Sequence, residues 1–326
     1  MLESIRIDFI CHIIIVQSIL GSIFYNTTGE EVCHMARLND VRMYGCVAET
    51  PQITKNADGN YVRGIMHLAV VRSTRYSGET FGEKNRILFD WPIILSRDPE
   101  MIKQIEKLRQ YDIVELKGMF LTKKINKVTT CKVCGAKNTV EGNICYVRPM
   151  FLKRRNSEKE ILSEKQAVQE VIQSREISNN ISIVGNLCND VNYFKDTRSK
   201  PIIETAVYQI ATDRKYYVKE DSPDNKTDFP IVRSYGNTAK MDGICLLVGS
   251  LVLVDGFLHT REFKRTSICS SESCGQSYEW TDNTTEIVPY TNEYLANYKD
   301  PTEALDAEKA KEIEEGNQMF SDLLKN

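Results

Sequence analysis

Cys131-Lys-Val-Cys134-Gly135 has the spacing at which the tip of a hairpin aims two sulfurs at one point, with a glycine to relieve the turn. Two thiolates supply half of a tetrahedral metal site, so a second half is required. Cys269-Ser-Ser-Glu-Ser-Cys274-Gly275 is a looser version of the same motif further along the chain. Two ligand sets are open. One is a single shared site of Cys131, Cys134, Cys269 and Cys274; the other draws on Cys145, on the returning strand, with an unidentified fourth ligand. Zinc in either would be structural, because no water-activating base lies nearby in sequence. The alternative is that these are free cysteines in a reducing cytoplasm. A redox reading needs a strand before and a helix after the CxxC, and neither pattern is present. Cys46, Cys188 and Cys245 read as buried apolar packing.

A second set of residues combines cations with flat rings. Arg214, Lys215 and Tyr216 form a basic-aromatic cluster, and Arg233 and Tyr235 are two apart, on one face of a strand. Phe257, His259, Arg261 and Phe263 continue the alternation, with Lys264 beyond. The first half of the chain offers Arg72, Arg75, Tyr76, Trp91, Phe120, Lys123 and Lys124. Cations of this kind take phosphates, and rings take base faces at ~1–3 kcal/mol per stacked base. Phe257 reads equally well as core. No phosphate-cradling GxxxxGK, no GxSxG and no HExxH occurs, and His67 and His259 have no acid–nucleophile partner nearby in sequence. Nothing supports catalysis.

The elements that must position these residues come in two copies about 140 residues apart. Asn39 to Gly45 matches Asn179 to Gly185, His67 to Arg75 matches Ala206 to Arg214, and Tyr111 to Phe120 matches Gly249 to Phe257. Between them, Ile87 to Pro92 aligns with Ile231 to Gly236, which puts Tyr235 at the position of Trp91. Each copy is rich in valine, isoleucine and tyrosine runs broken by Gly, Asn and Asp, a strand-and-turn pattern. Asn56 to Asn60 predicts a hairpin turn. Asp98-Pro99 predicts the start of a short helix with a stripe at Met101, Ile102, Ile105 and Leu108; its counterpart after Asn237 is shorter and predicts about one turn. Three strands, a short helix, then a hairpin is the layout of a five-stranded OB barrel. The expected fold is therefore mainly β: OB barrels at 35–152 and 179–298, a connecting helix at 153–178 opening at Ser157, and an acidic C-terminal helix and tail at 299–326.

The second copy resembles the bacterial and phage single-stranded DNA-binding protein family. Asn180 to Gly185 looks like that family's first strand, Phe229 to Tyr235 its third, and Gly249 to Gly256 with Leu258 to Arg261 its fourth. The resemblance covers residues 180–290 and, more faintly, 39–152. It implies single-stranded DNA as the partner, with replication or recombination proteins and a homo-oligomer as further expectations. Three departures stand out: two barrels in one chain, cysteine pairs in the hairpins, and an end, Leu323-Leu-Lys-Asn326, unlike the family's acidic tip. Single-stranded RNA binding and a non-catalytic structural adaptor remain as alternatives.

Composition is compatible with this. Of 326 residues, 27% are charged and 41% hydrophobic, with a net charge of −3, which excludes a strongly basic nucleic-acid sponge and a wholly disordered chain. Residues 35–300 hold 38 basic against 34 acidic residues, a mildly basic body ahead of an acidic tail. The apolar run Phe9 to Tyr25 carries an acidic rather than a basic flank, a poor secretory signal. Residues 1–34 read as a mis-called upstream extension ahead of Met35 or as disordered, and no membrane partner is expected.

Overall fold

Valine- and isoleucine-rich runs at the predicted places form strands that close on themselves twice. The computed structural model describes residues 24–25, 31–32, 37–72, 87–198, 202–214, 227–306, 309–310 and 313–314. In the first copy, β1 (Asn39–Val47), β2 (Gln52–Lys55), β3 (Tyr61–Val71) and β4 (Ile93–Ser96) lead to α1 (Pro99–Glu106). The long strands β5 (Ile113–Thr130) and β6 (Lys137–Arg154) then form a hairpin. β1 pairs with β3 and β5, β5 with β6, and β4 with β3 and, in parallel, with β6. That is a closed five-stranded OB barrel, with β2 extending β3.

The second copy repeats the circuit with β7 (Asn179–Leu187), β8 (Asn192–Asp196), β9 (Ile203–Asp213), β10 (Ile231–Tyr235), β11 (Leu246–Ile268) and β12 (Ser277–Tyr298). β7 pairs with β9 and β11, β11 with β12, and β10 with β9 and, in parallel, with β12. Two further contacts mark the equivalence. Asn39 brackets the backbone N–H and C=O of Phe120 at 2.8 Å each, and Asn179 does the same to Leu258 at 3.1 and 2.9 Å. A Cβ on Gly118 or Gly256 would meet a carbonyl oxygen at 2.2 or 2.1 Å, so only glycine lets these strands close.

The barrels are joined by more than a connecting helix. β1 and β7 pair antiparallel, with Val41 opposite Ile181, so one sheet runs through both barrels about a local pseudo-two-fold axis. This is the self-complementary geometry of an isologous dimer, built into one chain. The apolar core is correspondingly continuous, from Val41 and Phe120 to Ile181 and Val254.

The helices depart from expectation in two places. β6 runs to Arg154, and the connecting helix starts later than expected, as α2 (Glu164–Gln173) followed by one further turn at Arg175–Ser178, with Ser163 and Gln166 as its capping box rather than Ser157. Ala167 and Val171 pack it onto the first barrel beside Cys46 and Ile113. In the second copy α3 (Gly236–Cys245) is a full ten residues despite Gly243. Its buried Asp242 accepts hydrogen bonds from Ser234, Asn292 and Tyr294, and that tertiary anchor offsets the poor helix propensity. Residues 301–306 are helical, capped by Asp300, as expected. No helix among the described residues is long and apolar enough to cross a membrane.

Candidate nucleic-acid interface

Asp90-Trp-Pro-Ile93 and Asp228-Phe-Pro-Ile231 occupy equivalent places, each leading into the third barrel strand. Proline holds the preceding residue extended, and neighbours in extended chain point to opposite sides. Asp90 and Asp228 are accordingly fully buried, whereas Trp91 is 51% and Phe229 48% exposed. The structure thus pairs Trp91 with Phe229. The expected equivalence of Trp91 and Tyr235 is corrected: Tyr235 is half-buried at the start of α3, where burial raises its hydroxyl pKa.

Each buried aspartate is gripped from its own barrel by arginine. Arg72 Nε and Nη2 lie 3.0 and 2.9 Å from the two oxygens of Asp90, and Arg214 Nε and Nη2 lie 2.7 and 3.0 Å from those of Asp228. Each aspartate also reaches the other barrel. Thr260 N–H donates to Asp90 Oδ1 at 3.0 Å, and Thr122 N–H donates to Asp228 Oδ1 at 2.8 Å. In return, the N–H of Trp91 donates to Thr260 Oγ1 and that of Phe229 to Thr122 Oγ1, both at 2.9 Å. His259 Nδ1 adds a contact to Asp90 at 2.8 Å. Burial raises the Asp90 pKa, but His259 and Arg72 outweigh it and hold the carboxyl below its usual range.

This changes what the basic residues can do. Arg72 and Arg214 serve the junction between barrels instead of standing open to phosphate. Arg233, with Arg261, neutralises the buried Glu286, whose pKa is lowered by the two guanidiniums against the effect of burial. Lys123, Lys124 and Lys264 are exposed, and Arg261 and Phe263 are partly exposed with the guanidinium 5.3 Å from the ring. Phe120 and Phe257 are both 0% exposed and cannot reach a ligand. Phe120 belongs to the barrel core, whereas Phe257 keeps the face it shares with His259 and is buried there against Tyr290, with ring centroids 5.5 Å apart. Arg75, Tyr76, Lys215 and Tyr216 lie outside the described residues.

Two grooves run along the junctions, between the barrels and the hairpin arms. One, of ≈650 Å³, includes Trp91, Ile93, Ile144, Val128 and Trp280 in its walls. The other, of ≈760 Å³, includes Phe229, Ile231, Lys123, Lys124 and Phe263. Phe229 and Trp280 were not among the residues picked from sequence. The signal for Phe229 was present as the repeated Asp-aromatic-Pro-Ile; Trp280 has no counterpart in the repeat, since Val140 occupies its place.

Both hairpin arms extend past the barrels and meet at their tips. Lys127 and Arg265, one from each arm, share Asp282, and Thr129 Oγ1 lies 2.6 Å from Tyr278 Oη. At the tips the sulfurs of Cys131, Cys134, Cys269 and Cys274 all lie within 4.8 Å of one another, with Cys134 and Cys269 3.6 Å apart. Four ligands ~2.3 Å from a tetrahedral centre stand ~3.8 Å apart, so this donor set fits a thiolate-bound metal. Gly135 (φ 76°) and Gly275 (φ 55°) take the left-handed turn in each tip. Within the cluster the Cys134 N–H draws the Cys131 thiol down to about 7, while desolvation and the neighbouring thiols outweigh the Ala136 N–H and push Cys134 up to about 12. Cys145 is no ligand: it is buried mid-strand in the barrel core, where desolvation pushes its thiol up to about 11. Cys188, expected in the core, is exposed.

The architecture defines a class, proteins that carry an OB barrel in duplicate. Residues 178–273 match the Single-strand binding protein family, placing the family likeness on the second barrel and its hairpin arm. Among solved structures the chain is similar to a deletion mutant of the single-stranded DNA binding protein from Thermus aquaticus. The identity is 16% over 82% of this chain and 99% of that one, with a TM-score of 0.51. The wild-type Thermus aquaticus protein gives 16% identity over 81% and 97%, with a TM-score of 0.49. No curated protein matches the sequence.

Proposed function

We propose that the chain is a non-catalytic protein that binds single-stranded DNA without sequence preference and covers exposed strands in replication, recombination or repair. The observation that carries this reading is the equivalence of Trp91 and Phe229, two half-exposed rings on duplicated barrels, the second of which matches the single-strand binding family. Residues 35–152 and 179–298 act as the two binding modules, with 153–178 as a spacer packed on the first. Bases stack on Trp91 and Phe229 at ~1–3 kcal/mol each, and Lys123, Lys124, Arg261 and Lys264 take phosphates. Phe263, in the wall of the second groove, is a secondary contact. The buried Asp90, Asp228 and Glu286 do not repel the polyanion, because each is matched by arginine.

A structural zinc ion held by Cys131, Cys134, Cys269 and Cys274 would tie the two hairpins, and with them the two grooves, into one unit. The reducing cytoplasm suits the eight described cysteines, all free. Binding of fluorescent oligo-dT, followed by anisotropy and competed with oligo-U and duplex DNA, tests the function. Strong binding displaced poorly by both competitors supports it; preferential displacement by oligo-U establishes RNA as the ligand, and no binding at low salt leaves the adaptor reading.

A further inference from the structure

We propose that the cysteine cluster is also a reversible oxidation site, at which a hydroperoxide oxidises Cys134 and Cys269 then closes a disulfide between the two hairpins, expelling the metal. This deepens, and rests on, the zinc clamp proposed above. Of the four cysteines only Cys134 is exposed, whereas Cys131 and Cys269 are buried and Cys274 is half-buried. The turns that carry them are open, since a Cβ on Gly135 or Gly275 meets nothing within 4 Å. The Cys134 sulfur lies 3.6 Å from that of Cys269, although the two residues belong to different hairpins and stand 135 positions apart in sequence. One accessible sulfur is thus in contact with a sheltered one from the opposite arm.

Metal binding needs deprotonated ligands. In the loaded cluster all four sulfurs are therefore thiolates, and access rather than free-thiol acidity selects the one that meets an oxidant. The Cys134 thiolate attacks hydrogen peroxide: an S–O bond forms, the O–O bond breaks, and departing hydroxide leaves a sulfenic acid behind. The Cys269 thiolate then attacks the Cys134 sulfur, forming the S–S bond, breaking the S–O bond and releasing a second hydroxide. Two electrons pass from the two thiolates to the peroxide, and two solvent protons convert the hydroxides to water. Closing from 3.6 Å to the ~2.05 Å of a disulfide is a small movement at an open turn. Cys131 and Cys274 are then the remaining ligands, half of a tetrahedral set and too few to retain the ion. The arms stay joined, because a covalent tie replaces the metal one and Asp282 still bridges Lys127 and Arg265.

The test uses the unmodified full chain, with its zinc content measured first. Hydrogen peroxide is added in the presence of a chromogenic zinc chelator, with a peroxide-free sample alongside. Samples taken over time are alkylated and mapped by peptide under non-reducing conditions. The expected result is release of one zinc per chain at the rate at which Cys134 and Cys269 are lost to alkylation, with a disulfide-linked peptide joining the two. Cys188, exposed but outside the cluster and with its thiol pKa raised by desolvation, is the internal control and is expected to react roughly tenfold more slowly. Dithiothreitol with added zinc is expected to restore both thiols and the metal. A Cys131–Cys134 link, a link between chains, zinc release with no disulfide, or zinc retention under peroxide overturns the oxidation site and leaves the clamp standing. A chain that holds no zinc and takes none up overturns the clamp and this site together, and oligo-dT binding measured by anisotropy is independent of either result.

Discussion

Asp90 of the first barrel accepts the backbone N–H of Thr260 of the second at 3.0 Å, and across the pseudo-two-fold axis Asp228 accepts that of Thr122 at 2.8 Å. Each aspartate is fully buried, chelated by an arginine of its own barrel, and followed directly by an exposed ring. The barrel junction and the candidate binding surface are thus adjacent residues of one extended segment. Loosening the junction moves the rings.

Asp90→Ala leaves Arg72 buried without its carboxylate. Removing one partner of a buried pair typically costs ~3–5 kcal/mol. Urea unfolding of Asp90→Ala is expected to show a loss of that order, and Asp228→Ala a similar one. The double variant Arg72→Met plus Asp90→Leu is expected to recover part of it, which a double-variant cycle measures.

The same carboxylates set an acid limit. Asp90, Asp112, Asp282 and Glu286 have folded-state pKa values lowered by their cationic and hydrogen-bond partners, against burial. A lowered folded pKa stabilises the fold above the unfolded value and is lost as pH falls through the folded one. Stability is therefore expected to hold from neutrality to about pH 4 and to fall below it. Chemical denaturation along a pH series checks this, and Asp90→Asn is expected to flatten the acid limb.

Much of this was legible in the sequence, and the failures have physical causes. The repeat, the OB layout, the Asp98 cap and the meeting of the four cysteines all follow from local pattern plus duplication. The third-strand alignment slipped because the connection before it differs in length: Arg72 and Asp90 are 18 residues apart, Arg214 and Asp228 only 14. Phe120 misled because a strand's two faces look alike in sequence until register is known, and Phe257 because a face outside the barrel can still be covered, here by Tyr290. Arg72, Arg214 and Arg233 look like phosphate ligands until their buried acids appear, and those acids lie 14 to 53 residues away.

Salt dependence separates exposed cations from paired ones. Each phosphate neutralised on a single strand contributes roughly 0.7 to the slope of log K against log salt. Lys123→Ala and Lys124→Ala are each expected to lower the slope by about that amount with the melting temperature unchanged. Arg72→Ala is expected to lower the melting temperature first. Titrations at several salt concentrations, paired with thermal melts, distinguish the two.

Metal content is expected at one zinc per chain by elemental analysis. Cys131→Ser and Cys274→Ser are expected to lose it and Cys145→Ser to keep it. Loss of the clamp lowers the melting temperature by roughly 2–4 °C for each kcal/mol it contributes. Full zinc retention in Cys274→Ser excludes the shared site.

The most direct test of the central claim is the affinity of long oligo-dT for Trp91→Ala plus Phe229→Ala, measured by anisotropy alongside a thermal melt. The account predicts an unchanged melting temperature and an affinity reduced by ~2–6 kcal/mol, two stacked bases being lost. An unaltered affinity in the folded double variant contradicts it.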